Sequence, residues 1–242
     1  LTSADEGEER RRRALVAARA HLAAGEWTRA RTIVTDLLAA AVAGELRAEA
    51  LLLLAEFEWD DLAVPVLEEA LRDASSHPAL EARIRIRLAW AERFRKGFAA
   101  ARDATRAALK LAERVDDAAL RFEALTQLHL LCGLVGDSET LTYAARAREL
   151  ASATGDAFML RQANSLAFGM PMLYDSDDID PGRAALECEY QEWRERDELF
   201  TAAVLWDLSW VELWSGRWKL AAEHAARSRE IRLQYGVEKN QD

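Results

Sequence analysis

Residues 206–222 read WDLSWVELWSGRWKLAA. The stretch holds an apolar run at helical spacing, then Ser215-Gly216-Arg217, then a second run opening on Trp218 with Ala221 three positions on. The reading is a helix, a tight turn and a second helix. Gly permits the left-handed residue that ends the first helix, and Ala lets the second lie close against it. The same phrase stands near the other end of the chain as Gly25-Glu26-Trp27 with Ala30. Lys96-Gly97-Phe98 with Ala101 is a further copy, with Lys in the Gly slot. Gly136-Asp137-Ser138 with Leu141 is a degraded copy, and Glu58-Trp59-Asp60 with Ala63 a weaker one.

Recurrence of one helix-turn-helix phrase decides the fold class. From Gly25 to Glu58 is 33 positions, to Lys96 another 38 and to Gly136 another 40. Such a period belongs to helix pairs stacked into a solenoid. The expectation is an all-α, tetratricopeptide-like helical-repeat superhelix of antiparallel helix pairs. About six pairs fit as a single domain over residues 1–242, with an uneven period that marks a divergent array. The aromatic of each phrase is expected to fill the gap between neighbouring pairs.

Composition agrees. Half of the 242 residues are hydrophobic and 31% are charged, which supports a core and excludes a disordered chain. Only 4 Pro and 11 Gly interrupt it. The alternation Arg83-Ile84-Arg85-Ile86-Arg87-Leu88 has the period of a strand. It is read as helix, because helix formers flank it and a lone strand would leave its backbone groups unpaired. The largest interruption is GMPMLYDSDDIDPG at 169–182, read as a loop, after which Asp180-Pro181 restarts a helix with Asp as cap and Pro in the first position.

Charge and motifs exclude several functions. A net charge of −10 argues against a nucleic-acid contact by this segment. No apolar run reaches membrane-spanning length. Cys132 and Cys188 lack metal or redox spacing, and such sparing use of cysteine fits the cytoplasm. The four histidines are scattered, with no helical pair at metal spacing. Asp175, Asp177, Asp178 and Asp180 alternate as calcium ligands do, but Ile179 and Pro181 break the pattern. No catalytic residue, cofactor or metal is assigned, and the chain is read as a non-enzyme. The start at Leu1 and the polar tail at 238–242 suggest a piece of a longer protein.

Two groups stand out as candidate ligand or partner surfaces. Trp206, Trp210 and Trp214 repeat every fourth residue and share a helix face, with Trp218 across the turn and Trp193 on the preceding helix. They make either an aromatic wall for a ligand or partner helix, or packing between repeats. Arg83 and Arg87, in a basic stretch reaching Arg106, suit an anion or an acidic partner, or equally a solvated face balanced by Glu. The expected partner is a protein or a small-molecule effector. A homodimer through the last helix, 218–235, is expected if a cut solenoid leaves an apolar face exposed.

Three stretches carry a family resemblance: His77-Pro78-Ala79-Leu80 through Trp90, Leu111-Ala112-Glu113-Arg114-Val115-Asp116-Asp117-Ala118-Ala119-Leu120, and Trp206 through Ala222. Together they resemble the middle region of the large ATP-binding LuxR-type transcription regulators of actinobacteria, to which the maltose-operon activator of enteric bacteria is distantly related. The resemblance covers residues 15–231. It implies a three-part parent, with an ATPase before the repeats and a helix-turn-helix after them. It further implies a middle region that senses a ligand or protein and restrains or releases the ATPase. The chain holds no G-x-x-x-x-G-K-[ST] loop, so no nucleotide-binding or DNA-reading residue is carried over. The alternative is a stand-alone protein–protein adaptor with no transcriptional role.

Overall fold

The computed structural model describes residues 3–24, 26–40, 43–58, 60–156, 159–160, 162–163, 179–195 and 198–234. These hold twelve helices and no strand. They are α1 (Ser3–Ala23), α2 (Trp27–Ala40), α3 (Glu45–Ala55), α4 (Asp60–Asp73), α5 (Pro78–Ala91) and the single turn α6 (Arg93–Lys96). After them come α7 (Phe98–Arg114), α8 (Ala118–Leu134), α9 (Thr140–Thr154), α10 (Asp180–Trp193), α11 (Glu198–Trp214) and α12 (Trp218–Gln234). The chain forms two compact units, Leu1–Leu131 and Cys132–Asp242.

The recurring phrase is a recurring backbone hydrogen bond. The amide of Glu26 donates to the carbonyl of His21 at 2.9 Å, that of Asp137 to Cys132 at 2.8 Å, and that of Arg217 to Glu212 at 2.9 Å. Each reaches five residues back, the Schellman closure of a helix. Gly136 (φ 69°) and Gly216 (φ 73°) supply the left-handed residue of that closure in the second and third copies. A Cβ at Gly216 would meet nothing within 4 Å, so the demand for glycine there is conformational rather than steric. The Lys96 copy differs. The extra turn α6 intervenes, and the special backbone falls on Gly97 (φ 89°), which caps α7. Between α7 and α8 the left-handed position is taken by Asp116 (φ 52°), and Asp117 Oδ1 accepts from the amide of Leu120 at 3.0 Å. Both are roles a short polar side chain tolerates.

In the first unit, neighbouring pairs share cores. Leu15, Ala18, Ala30, Val34, Leu37, Leu53 and Phe57 join α1, α2 and α3. Leu51, Leu52, Ala55, Val64, Leu67, Leu80 and Ile84 join α3, α4 and α5. Helix α3 is therefore buried on two sides, which is why eight of the eleven residues of its sequence, ELRAEALLLLA, are apolar. Helix α5 explains the misleading alternation: Ile84 and Ile86, two positions apart, are both fully buried because neighbours cover both flanks of the helix. Ala30, Ala63, Ala101 and Ala221, the small positions of the phrase, are buried, whereas Leu141 of the degraded copy is exposed. Gln127 Nε2 on α8 donates to the Ile86 carbonyl (3.0 Å) and to Thr105 Oγ1 (2.7 Å), tying α8 to α5 and α7 through a buried polar contact.

In the second unit, α11 lies between α10 and α12. Val204, Leu208 and Val211 pack on Leu186, while Ala202 and Leu205 pack on Ile231. The Ser228 hydroxyl donates to the Ala202 carbonyl at 2.7 Å. Helix α10 starts at Asp180 with Pro in its first turn, but Ile179 holds the cap position and Asp180 instead pairs with Arg183. Trp59, the acidic residues Asp175, Asp177 and Asp178, and the rest of 169–178 lie outside the described residues.

Candidate functional site

Helix α11 positions the tryptophans. Its flanks are consumed by the contacts to α10 and α12, leaving one narrow arc toward solvent. Beyond the first turn, every exposed residue of that arc is apolar: Ala203, Trp206, Trp210, Leu213 and Trp214. Their residues are 41% (Trp206), 38% (Trp210), 45% (Leu213) and 45% (Trp214) exposed, and Trp218 beyond the turn is 72% exposed. The indoles form a ladder. Trp206 meets Trp210 edge to face at 6.0 Å between ring centres, and Trp210 meets Trp214 at 5.9 Å with a 43° tilt. These are geometries that the ring quadrupoles favour. The guanidinium of Arg232 on α12 sits 5.1 Å from the Trp206 ring centre, a cation–π contact.

Trp193 is not part of this ladder; it is half-buried and packs edge to face on Phe200 at 5.1 Å. Trp27, the aromatic of the first phrase, packs on Phe57 at 5.8 Å and fills space between pairs as expected, while Trp218, its counterpart in the last phrase, stands out in solvent.

Behind the ladder lies a polar network that the sequence did not announce. Glu212, 1% exposed, faces inward on α11. Arg183 Nε of α10 donates to its Oε1 at 3.0 Å, and Arg217 Nη2 to the same oxygen at 2.9 Å. Arg183 also reaches Ser215 Oγ and Asp180. One buried carboxylate thus holds α10, α11 and the turn after α11 together, with its charge met by two guanidinium groups. On the α10 side, burial, followed by the nearby Glu189 charge, pushes the Asp207 carboxyl up to about 7.

Arg83 and Arg87 belong to α5 in the first unit. Arg87 Nε lies 3.0 Å from Glu56 Oε1. Burial raises the Glu123 carboxyl above its ordinary value, and the charges of Arg83 and Arg87 oppose that rise. The two arginines therefore sit among acidic groups of their own chain. Further along, Arg93 lies over Trp90 (4.0 Å) and Phe94 (4.3 Å), and Arg95 and Lys96 both reach the buried Glu92 at 2.7 Å. The basic stretch is largely spent on internal partners.

A groove of about 250 Å³ between α1 and α3, floored by Leu15, Val16 and Leu46, was not foreseen. Its rim is already neutralised, Arg19 pairing with Glu49 at 3.2 Å and Arg12 with Glu8 at 2.9 Å. Among the described residues, no group of His, Cys, Asp and Glu is placed to hold a metal ion. No described helix is long and apolar enough to cross a membrane. Cys132 is buried and Cys188 exposed, and neither is in a disulfide.

No protein-family profile matches the chain, and no curated protein does. Solved structures do. A Rap protein complexed with competence and sporulation factor superposes with a TM-score of 0.75 at 13% identity, over 96% of this chain and 66% of its own. The apo form of RapI gives 0.75 at 14% identity, over 95% and 85%. Aspartyl phosphate phosphatase F from Bacillus subtilis gives 0.71 at 13%, over 97% and 63%. The chain thus spans just under two thirds of the length of two of these three. At such identities the likeness is one of architecture: the chain has the all-α, tetratricopeptide-like helical-repeat fold.

Proposed function

We propose that the chain is a regulatory interaction module, a repeat domain that binds a protein partner or effector and passes the event to flanking modules. The observation that carries this is the solvent arc of α11, where a helix rigidly held on both flanks presents only apolar side chains. Leaving such a face in water is unfavourable, and a contiguous exposed apolar patch marks an interaction site. The structurally similar Rap protein was solved with competence and sporulation factor bound, which is consistent with a binding role for this architecture.

We further read the module as part of a LuxR-type ATP-dependent transcription regulator, a reading supported by the family-like phrases of the sequence, and as cytoplasmic, which the sparing use of cysteine supports. There its occupancy would release or restrain an upstream ATPase and a downstream helix-turn-helix. Repeats that contact only their neighbours transmit a shift along the array, which suits such coupling. The test uses the full-length parent, assayed for ATPase activity and for reporter transcription. The Trp210→Ala/Trp214→Ala double variant should fold, keep basal ATPase activity and lose regulated transcription. Unchanged regulation would remove the role of this face, and a parent lacking both a phosphate loop and a helix-turn-helix would leave the adaptor reading in its place.

A further inference from the structure

The indole ladder of α11 reads the same from both ends. Trp206 and Trp214 each stand four residues from Trp210, so the row spans about 12 Å at 1.5 Å per residue. Its ring centres are 6.0 and 5.9 Å apart, which leaves slots between successive indoles. A second ladder running the opposite way seats its own indoles in those slots, as rows of residues at i, i+4 interdigitate in the commonest class of helix packing.

The charge of the face is the second observation. Helices α11 and α12 with the turn between them, residues 198–234, carry five acidic and five basic side chains, so this hairpin is neutral in a chain of net charge −10. Most of those charges are engaged within the chain. Glu212 is held by Arg183 and Arg217, Arg227 pairs with Glu230 and lies near Glu198, and Arg232 lies over Trp206. Arg229 is likewise engaged, and Asp207 lies beside Glu189 on the α10 flank. That leaves Lys219 and Glu223, both exposed and neither paired with another described residue. Register sets their place. The Ser228 hydroxyl bonded to the Ala202 carbonyl puts those two residues level on the antiparallel helices. Eight residues along each helix from there, Trp210 comes level with Leu220, within about 1.5 Å of the midpoint between Lys219 and Glu223.

We infer that the Trp206–Trp210–Trp214 ladder, with Leu213 and Trp218, packs on the same face of a second copy of this chain about a two-fold axis at Trp210, each Lys219 meeting Glu223 of the other copy. This rests on the reading of the chain as an interaction module and names its partner.

Area, symmetry and charge select that occupant. The exposed parts of the four tryptophans and Leu213 amount to roughly 550 Å² per copy, taking about 250 Å² for a whole indole side chain. A two-fold pair therefore covers roughly 1,100 Å² in all, which clears the roughly 1,000 Å² that a specific interface needs and stands at the small, reversible end of the range. A two-fold contact uses one patch twice, so the patch must complement itself. The ladder does so in shape, and Lys219 with Glu223 does so in sign. A strongly charged partner gains nothing from a neutral hairpin. The excess negative charge of the chain lies outside residues 198–234, and repulsion between exposed charges more than about 8 Å apart is largely screened at physiological ionic strength.

The experiment is sedimentation velocity of the 242-residue chain from about 2 to 500 µM, a range set around the affinity an interface of this size class gives. The chain should pass from monomer to dimer with a Kd on the order of 50 µM. Trp210→Ala/Trp214→Ala and, separately, Trp218→Ala should raise that Kd at least about tenfold, with helicity by circular dichroism kept. Trp218, the most exposed of the four, carries the test if the double variant loses its fold. Lys219→Glu and Glu223→Lys should each weaken the dimer about fivefold, and both changes in one chain should restore it.

A monomer throughout would overturn the inference and leave the face to a different protein. So would a dimer that survives either tryptophan change with the fold intact, or species that grow past the dimer, since a two-fold contact closes at two. Single charge reversals without effect, or without rescue by the pair, would overturn the axis at Trp210. If the dimer forms and the Trp210→Ala/Trp214→Ala parent regulates normally, the second copy stands and the regulatory role falls. If the chain stays monomeric and that parent loses regulation, the interaction module stands and only this partner falls.

Discussion

Helices α5 and α11 are each covered on both flanks by neighbouring helices of their own unit, yet they meet water in opposite ways. Helix α5 buries Leu80, Ala82, Ile84, Ile86 and Ala89, exposes Arg85 and leaves Arg83 and Arg87 half-buried, and Glu81 and Glu56 meet Arg85 and Arg87. Helix α11 buries a full complement of apolar residues too, but also encloses Glu212, and spends its solvent arc on Trp206, Trp210, Leu213 and Trp214. The polarity is inverted: charge outside and aliphatic inside for α5, indole outside and an ion cluster inside for α11. A repeat serving only as a spacer gains nothing from the second arrangement, because exposed indoles add solubility risk and no core. The inversion is the contrast on which the proposed interaction surface rests.

The largest effect should come from breaking the inside of α11. Glu212→Ala strips the carboxylate that two guanidinium groups share, and losing one partner of a buried charge cluster costs about 3–5 kcal/mol. Urea melts should show it, with Glu212→Gln intermediate. The next contrast sets the two helices against each other directly. Ile84→Ala opens a cavity in α5 and should lose about 2–5 kcal/mol. Trp210→Ala, a larger truncation, should lose about 1 kcal/mol or less because the side chain packs on its exposed neighbours rather than in a core. Equal losses would mean that the ladder is part of the core, not a surface.

The Asp207 carboxyl sharpens the picture of α11's other flank. Its pKa in the folded chain, about 7, stands above the unfolded value near 3.8, so the native state holds more protons between those limits. Stability is therefore greatest at low pH on this account and falls as pH rises from about 4 to 7. Asp207→Asn should flatten that slope and raise the melting temperature by a few degrees at pH 8. The smallest effect belongs to α5's exterior. Arg87→Ala should change stability by about 1 kcal/mol or less, since its partner Glu56 is partly exposed. It should also raise the Glu123 pKa further by removing one of the charges that oppose the rise, which a carboxyl NMR titration would read.

Much of the fold was legible in the chain. Gly136 and Gly216 mark helix ends because few other residues reach the backbone that closes a Schellman turn, and Ala30, Ala101 and Ala221 follow because the second helix starts close against the first. The Lys96 copy was misplaced by one residue because an extra turn, α6, leaves no mark in so regular a phrase. The period of four that aligns Trp206, Trp210 and Trp214 was equally visible. It could not say whether they faced a neighbouring repeat or water. Trp27 and Trp218 make the point: they occupy the same slot of the same phrase, and one packs on Phe57 while the other is 72% exposed.

By itself, then, the sequence determined the local terms: helix, turn, small contact residue and the shared face of the tryptophans. These depend on backbone conformation and on residues within five positions of one another. Only the tertiary structure decided which faces are covered, because coverage depends on partners 26 to 41 positions away, such as Ala202 for Ser228, Glu212 for Arg183 and Ile86 for Gln127. Burial, the pairing of Glu212 and the raised Asp207 carboxyl all follow from those distant neighbours, through the removal of water that only packing achieves.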